Sequence, residues 1–260
     1  MCVNTLSSVL RTWAKLADAP NAEVPLGPLR RMVVAAERDA VAASQRLDGL
    51  FEQSARTFFP GVGDPLSAKL DVCTHRWLAG HREEAYSDWL AWILGRQDDP
   101  SRILPLFGLE AHCGPDELWK VKREVVTPFG RLDLLIRSRW LGVLCVEVKT
   151  ESAPGEDQLE RYLEWLAGAG PHLGLVLLAV DHPEGDLPSD ECRFCSWKHV
   201  AKRLRIWARD WLRAGRLYDA VMTLAFCGAV ERNLLALGGG GLNALRTADY
   251  LEDVLAEGYA

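Results

Sequence analysis

Three charged side chains interrupt apolar stretches in the middle of the chain, where burying an unpaired charge is costly. Asp133 lies within the apolar run Leu132–Ile136, and Glu147 and Lys149 fall in and directly after the run Val143–Val148. Alternate residues of a strand share a face, so the side chains of Glu147 and Lys149 point the same way. If a neighbouring strand brings Asp133 alongside, the three side chains converge on one site.

Two carboxylates and one ammonium group on a strand face suit metal-assisted hydrolysis. Mg²⁺ prefers oxygen ligands and keeps several waters, so two protein carboxylates are enough to hold it. A bound metal lowers the pKa of a water and stabilises charge on a phosphoryl oxygen. A lysine beside it can orient the attacking water or stabilise negative charge. From these two residues alone, a plain ion pair between Glu147 and Lys149 on a half-exposed strand is the favoured interpretation.

The sequence around these residues resembles the PD-(D/E)XK nuclease superfamily. That family has an acidic residue near the start of one strand and the pattern (D/E)-x-K on the next. The corresponding residues here are Asp133 and the triplet Glu147-Val148-Lys149. One departure is that Gly130-Arg131-Leu132, and no proline, directly precedes Asp133.

Two helical motifs extend the resemblance. Some subfamilies add a Gln and a Tyr on the following helix, and the segment EDQLERYLEWL supplies Gln158 and Tyr162. Many members carry a Glu on a preceding helix, and here that segment reads EEAYSDWLAWIL. Glu83 shares its helical face with apolar residues, whereas Glu84 shares a more solvated face, so Glu83 is the candidate. A core position for Tyr162 and a solvated helix start for Glu83 stay open as alternatives.

The resemblance covers about residues 80–210 and implies a fold. The fold is α/β, a restriction-endonuclease-like core with a mixed central sheet flanked by helices. That core would take residues 80–215, with a helical N-terminal region over 1–79 and a helical C-terminal region over 216–260 that packs on it.

The resemblance also implies an activity, the Mg²⁺-dependent hydrolysis of phosphodiester bonds, with Mn²⁺ as a substitute. Asp133, Glu147 and the Val148 carbonyl would hold the metal, with Glu83 as a further acidic ligand. Lys149 would position the attacking water, and Gln158 would bind Lys149, a phosphate or a metal-bound water. The implied substrate is nucleic acid, DNA being favoured over RNA, in bacterial defence or DNA processing. The alternatives are an inactive binding or assembly module, and a nuclease that works only in a complex formed through its helical flanks or by self-association.

A basic helix is the first candidate for contacts with the nucleic-acid backbone. Lys202, Arg205 and Arg209 are spaced by three and four residues, so they share one helical face. With Tyr162, they form the predicted nucleic-acid-binding set, and a merely solvated basic face is the alternative. A second, weaker candidate is the cluster of Lys120, Lys122 and Arg123.

Composition limits the class of protein. The chain has 260 residues, 48% of them hydrophobic, and a net charge of -6, which excludes a disordered chain and a wholly basic nucleic-acid coat. The apolar runs are too short to span a membrane, and no signal segment is apparent at the start. We therefore expect a cytoplasmic protein with no membrane partner. The motif CRFCSWKH offers Cys192, Cys195 and His199 as the beginning of a zinc site, but a single CxxC is more typical of two structural strand thiols.

Hydrophobic periodicity predicts the elements that position these residues. The N-terminal part and the C-terminal third read as helical, while the middle reads as strand-strand-strand-helix-strand-strand. The predicted helices cover residues 5–16, 29–58, 83–94, 156–167 and 198–213. The predicted strands cover residues 121–127, 131–137, 141–150, 173–181 and 192–197.

Overall fold

A computed structural model describes most of the chain. The described residues are 26–58, 60, 64, 78–110, 114, 116–151, 154–155, 157–238 and 243–259. The helix predicted over residues 5–16, most of the loop predicted over 59–65, and the glycines after Gly238 lie outside them.

The helices of the described residues follow the predicted pattern closely. They are α1 (Leu26–Phe58), α2 (Glu83–Gly95), α3 (Ile103–Leu106), α4 (Gln158–Gly168), α5 (Trp197–Arg213), α6 (Leu217–Ala229) and α7 (Asn243–Tyr259). A 3₁₀ turn over Pro100–Arg102 precedes α3, and a π-helical turn over Val230–Leu234 follows α6. Within this part of the chain, no helix combines the length and the apolar character needed to cross a bilayer.

Five strands form one mixed sheet. They are β1 (Trp119–Thr127), β2 (Gly130–Ser138), β3 (Val143–Val148), β4 (His172–Ala179) and β5 (Cys192–Ser196), and they lie side by side in chain order. The first three pair antiparallel, and β3, β4 and β5 pair parallel. Parallel neighbours need a crossover, which α4 supplies between β3 and β4. The α/β class predicted from the sequence, with a mixed sheet flanked by helices, is confirmed.

The sheet separates two apolar cores. All six residues of β3 are buried. Val146 and Val148 pack in the larger core, which α2, α5 and α6 also line, whereas Cys145 packs in the smaller core against α4. A strand covered on both faces reads as a continuous apolar run, and this explains the composition of β3.

The helical flanks pack on the sheet domain and on each other. Helix α1 packs against α7 and α5, and Arg46 of α1 forms an ion pair with Glu252 of α7. Four buried residues contact one another where these helices meet, and we call them the buried ionic cluster. They are Asp64, Arg205, Glu231 and Tyr250. Arg205 is 0% exposed and forms ion pairs with both acids, and the Tyr250 hydroxyl donates a hydrogen bond to Glu231 at 2.6 Å.

Candidate active site

Antiparallel pairing of β2 with β3 brings Asp133 beside Glu147. The register pairs Leu134 with Val146, so the next position along places the two acidic residues opposite each other. The Asp133 Oδ2 atom accepts a hydrogen bond from the Val148 backbone N–H at 2.8 Å. The carboxylate of Asp133 therefore lies against the backbone of β3, directly next to the E-x-K triplet.

A local distortion of β1 and β2 aims Asp133 at β3. Leu132 packs in the smaller core and Leu134 in the larger one, although alternation would put both on one face. The side chains of β2 therefore switch faces of the sheet at Asp133. Opposite it in the β1–β2 register, Glu124 has a φ of 48°, a left-handed conformation that non-glycine residues rarely adopt. Backbone strain of this kind often marks a functional site.

Lys149 connects the strand acids to α2. Its Nζ atom lies 2.8 Å from Glu147 Oε1 and 3.3 Å from Glu83 Oε2. Glu83 begins α2, whose residues Tyr86 and Leu90 are buried against the sheet, so the core face of α2 carries Glu83 to the site. The placement agrees with the choice of Glu83, because Glu84 instead lies near Arg131 at 3.6 Å.

Helix α4 holds Glu147 from the other side. The Gln158 Nε2 atom donates to Glu147 Oε1 at 2.7 Å, and it also lies 3.1 Å from the Tyr162 hydroxyl. That hydroxyl donates to the Arg131 carbonyl at 2.8 Å. Gln158 thus binds the Glu147 carboxylate directly. The sequence instead suggests Lys149, a phosphate or a metal-bound water as its partner.

The prediction that Tyr162 contacts nucleic acid is wrong. Its side chain is 3% exposed and packs in the smaller core, which matches the alternative core interpretation. Its contribution to the site is to fix Gln158, so it is a positioning residue.

The two oxygens of Glu147 have different surroundings. Oε1 receives hydrogen bonds from both Lys149 and Gln158. Oε2 is buried and has no hydrogen-bond partner among the described residues. A buried carboxylate oxygen without a partner is costly unless an ion or a water satisfies it. This oxygen is therefore the candidate ligand of a cation, at the strand position opposite Asp133.

Burial dominates the proton affinities in the site. Burial and the nearby charge of Asp133 raise the pKa of Glu147 from 4.5 to about 7. Burial also raises the pKa of Asp133, although the Val148 N–H and the Lys149 charge oppose it. Burial alone would lower the pKa of Lys149, but its hydrogen bond to Glu147 and the charges of the acids outweigh this and raise it. Burial and the mutual repulsion of the two acids therefore favour their protonated forms.

The donor set around Glu147 suits Mg²⁺ better than zinc. In the described ranges, no three His, Cys, Asp or Glu side chains are placed to hold one metal ion. Two carboxylates and a backbone carbonyl, with waters completing the shell, remain a sufficient set for Mg²⁺. The N–H and C=O of a strand residue point to the same neighbour. Since the Val148 N–H meets Asp133, the Val148 carbonyl is directed to the same side. The expected role of Glu83 as a further ligand stays a prediction, because its carboxylate contacts Lys149.

Two cavities adjoin the Lys149 and Glu83 side of this site, and neither is lined by Asp133 or Glu147. One, of about 420 Å³, lies beyond the ends of β3 and β4 and is lined by Lys149 and by Asn233 of the π-helical turn. The other, of about 380 Å³, lies beside the start of α2 and is lined by Glu83. Thr150 and Glu151 line both cavities. The Lys149–Glu83 pair can therefore be reached by a substrate from two directions.

The phosphate-binding strip predicted on α5 is wrong. Arg205 is fully enclosed in the buried ionic cluster, so it cannot contact a nucleic acid. The Lys202 side chain is 13% exposed and forms ion pairs with α7, at 3.0 Å from Glu257. The Arg209 side chain is 12% exposed and pairs with Asp210 at 3.0 Å. The contacts with α7 and the ion pair between Arg205 and Asp64 occupy the basic face that the helix alone would expose.

A zinc site at the CxxC motif is also excluded. Cys192 and Cys195 are both buried free thiols, but they pack in opposite cores because an odd spacing places them on opposite faces of β5. The His199 ring lies 3.0 Å from the Pro105 carbonyl. The two thiols are structural.

One positioning residue gave no signal in the sequence. The Trp197 indole N–H donates to the Lys149 carbonyl at 2.9 Å and is fully buried at the start of α5. It fixes the backbone just after the strand that carries Glu147 and Lys149. A buried tryptophan at a helix start reads as ordinary core, so only the tertiary contact identifies this role.

Comparison of the chain with protein families, with curated proteins and with solved structures finds no match. The functional assignment therefore depends on the geometry of the site and on its motifs.

Proposed function

We propose that this protein is a metal-dependent nuclease that hydrolyses phosphodiester bonds of nucleic acid. The observation that carries the proposal is the buried Oε2 of Glu147, which has no hydrogen-bond partner among the described residues. It belongs to a carboxylate whose other oxygen is held by Lys149 and Gln158 and which lies opposite Asp133. The element order supports it. A helix carrying Glu83 precedes three antiparallel strands, with Asp133 on the second and the E-x-K triplet on the third. That order fits a restriction-endonuclease-like core of the PD-(D/E)XK type.

The side chains have distinct roles in this proposal. Asp133, Glu147 and the Val148 carbonyl hold a divalent cation, Mg²⁺ or Mn²⁺. When bound, that cation supplies the charge that acidifies a water and stabilises a phosphoryl oxygen. Lys149 donates hydrogen bonds to the attacking water or to a phosphate oxygen. Gln158 fixes the orientation of Glu147, and Glu83 fixes that of Lys149.

DNA is the proposed substrate, with RNA as the substrate to compare. The motif resemblance favours DNA, and so do the roles in bacterial defence or DNA processing that go with it. An open pair of cavities on both sides of Thr150 and Glu151 suits a polymer that passes across the site rather than one enclosed small molecule.

One observation favours a second candidate function, a binding or assembly module without catalysis. Lys149 lies within ion-pair distance of both Glu147 and Glu83, so it compensates their charge with no cation bound. The same ion pairs would stabilise a fold that has lost its metal chemistry.

Cleavage assays separate the two functions. Labelled single- and double-stranded DNA and single-stranded RNA are incubated with the purified chain and Mg²⁺, Mn²⁺ or EDTA. We expect cleavage only with metal, and a loss of about 100-fold or more for Glu147→Gln, since removing one charge-stabilising group has effects of this order. Glu164→Gln, an exposed change on α4, is the matched control. Cleavage by Glu147→Gln at the rate of the unchanged protein would overturn the proposal.

Metal binding gives a readout independent of cleavage. Calorimetric titration with Mn²⁺ should show binding to the unchanged protein and to Glu164→Gln, and none to Glu147→Gln. If the protein binds no divalent cation and cleaves none of the substrates, the nuclease assignment is wrong and the protein is the binding or assembly module.

A further inference from the structure

The solvent side of β1 and β2 carries three cations in one row. Lys120 and Lys122 of β1 and Arg137 of β2 are exposed, and we call these three residues the basic strand patch. The β1–β2 register pairs Lys120 directly with Arg137, and it pairs Lys122 with Leu135. Like charges directly opposite each other destabilise a sheet. A positive pair at this position is unfavourable for folding and therefore points to a ligand.

The basic strand patch lies on the same face of the sheet as Glu147. Val121 and Ile136 pack against or within the larger core, so their neighbours Lys120, Lys122 and Arg137 point to the opposite face. Val146 and Val148 also pack in the larger core, and Glu147 between them points to that same opposite face. The patch and the two acids therefore share one side of the sheet, where half-buried Asp133 is the more accessible acid and Glu147 is buried.

The described acidic side chains leave the charge of the patch uncompensated. In the part of the chain that the structure describes, none of its three cations lies within ion-pair distance of a carboxylate. The neighbouring cations differ, because Arg123 pairs with Asp88 at 2.9 Å and Arg131 lies 3.6 Å from Glu84. On a chain with a net charge of -6, this local positive surface attracts a polyanion.

The spacing of the patch fits a chain of phosphates that leads to the site. At about 3.3 Å per strand residue, Lys122 lies roughly 7 Å and Arg137 roughly 13 Å along the strands from Asp133. A nucleic-acid strand carries one charged phosphate per nucleotide, so a strand that reaches the candidate metal position can also place phosphates on the patch.

An aromatic side chain lies at the far end of the same strands. Trp140, in the turn between β2 and β3, is 66% exposed, and the Arg139 guanidinium lies 4.8 Å from its ring centroid. An exposed ring beside cations is a platform on which an unpaired base can stack. Bases within a duplex are already stacked, so Trp140 favours a single strand.

We propose that the basic strand patch and Trp140 bind a single-stranded stretch of nucleic acid and lead it to Asp133 and Glu147. The three cations contact phosphates and carry no base information, and Trp140 stacks on one base. This inference rests on the proposed nuclease function, since it names the surface by which that site takes its substrate.

Charge reversal of the patch tests the proposal. Binding of a labelled single-stranded oligonucleotide is measured by fluorescence anisotropy at several salt concentrations, with Glu147→Gln in every protein to prevent cleavage. The patch variant combines Lys120→Glu, Lys122→Glu and Arg137→Glu. It should weaken binding by at least about tenfold. It should also flatten the logarithmic salt slope by about 2, because each phosphate contact on a single strand contributes about 0.7.

A matched control variant tests whether binding depends on the patch itself or on the net charge of the protein. The control variant changes the net charge by the same amount as the patch variant, at exposed positions on α1, β5 and α5. Its substitutions are Arg38→Glu, Arg193→Glu and Arg213→Glu. It should keep the affinity and the slope of the parent. If this control weakens binding as much as the patch variant does, or if the patch variant keeps the parent slope, the proposal is wrong.

Trp140→Ala tests the stacking contact. We expect about tenfold weaker binding of the single strand with an unchanged salt slope, since stacking on an aromatic ring involves no counterion release. Equal binding by Trp140→Ala and by the parent overturns the stacking role. Tighter binding of a duplex than of the single strand overturns the choice of a single strand.

Failure of this inference differs from failure of the proposed function. Metal-dependent cleavage by the protein without Glu147→Gln, together with an unaltered salt slope in the patch variant, rejects the patch and retains the nuclease. Patch-dependent binding without any metal-dependent cleavage rejects the nuclease and retains the binding surface.

Discussion

Glu147 is the residue on which the chemistry of the site depends. Its side chain is 2% exposed, one oxygen is held by two donors, and the other has no hydrogen-bond partner in the described part of the chain. A carboxylate in this position is stable either as the neutral acid or as an anion compensated by a cation. Its protonation and any metal binding are therefore competing equilibria.

We predict that Glu147 makes the metal-free protein less stable as the pH rises. Its pKa is raised from 4.5 to about 7 by burial, so the folded state holds the proton more firmly than the unfolded state. The stabilisation is complete below about pH 4.5 and is lost as the pH rises through 7. It amounts to at most ~3 kcal/mol, because one pKa unit corresponds to about 1.4 kcal/mol.

Urea denaturation in EDTA between pH 5 and 8 measures this effect. Asp133 also has a raised pKa and contributes in the same direction. Its charge interacts with Glu147, so the difference between the unchanged protein and Glu147→Gln measures Glu147 together with this interaction. The free energy of unfolding should fall more steeply with pH in the unchanged protein. Parallel pH profiles for the two proteins would contradict the raised pKa.

The sequence predicts which residues meet at the site but does not predict which are accessible. Asp133, Glu147 and Lys149 could be grouped because strand alternation is a local rule. Arg205 could not be recognised as buried, because its partners Asp64 and Glu231 lie far away in the sequence and come to it only in the folded chain.

At the scale of elements, the turn between β2 and β3 sets the position of the two acids. Gly142 in this turn has a φ of 108°, and a Cβ atom there would lie 2.3 Å from the Pro171 carbonyl oxygen. That contact is far closer than atoms tolerate, and the neighbouring atom is backbone that packs against β4. The turn therefore requires a glycine for both conformation and space.

We predict that Gly142→Ala lowers the free energy of unfolding by about 3 kcal/mol or more, since strain and overpacking add. Thermal or urea unfolding measures the loss. Gly168→Ala is the control, because a Cβ atom at Gly168 meets nothing within 4 Å. If Gly142→Ala unfolds at the same urea concentration as the unchanged protein, the turn can rearrange and the argument fails.

Strand positions were predictable, whereas the distortion within β1 and β2 was not. The runs over 121–127 and 131–137 lie within the observed strands. Alternation alone would have put Leu132 and Leu134 in the same core, and the left-handed φ of Glu124 depends on the neighbouring strand. Such irregularities result from tertiary packing, which a local pattern does not contain.

At the scale of the molecule, the buried ionic cluster joins parts that are distant in the sequence. Arg205 of α5 contacts Asp64 near the end of α1 and Glu231 of the π-helical turn. Removing one partner of a buried ion pair leaves the other charge uncompensated.

We predict that Arg205→Ala destabilises the protein by about 3–5 kcal/mol, the usual cost of breaking a buried pair. The exposed change Arg213→Ala should stay within about 0.5 kcal/mol of the unchanged protein. Denaturant unfolding of the three proteins measures both effects. A loss for Arg205→Ala no larger than that for Arg213→Ala would mean that the cluster contributes little to stability.

The pairing of α1 with α7 has a consequence for how the chain is made. Arg46 and its partner Glu252 are separated by 206 positions, and Leu47 and Leu50 of α1 are buried in the finished fold. A ribosome completes the whole sheet before it has synthesised α7, so α1 emerges long before its partner helix does. The nascent chain consequently carries a helix with an uncovered apolar face until α5 and α7 have been made, the condition under which partly made proteins aggregate or bind chaperones.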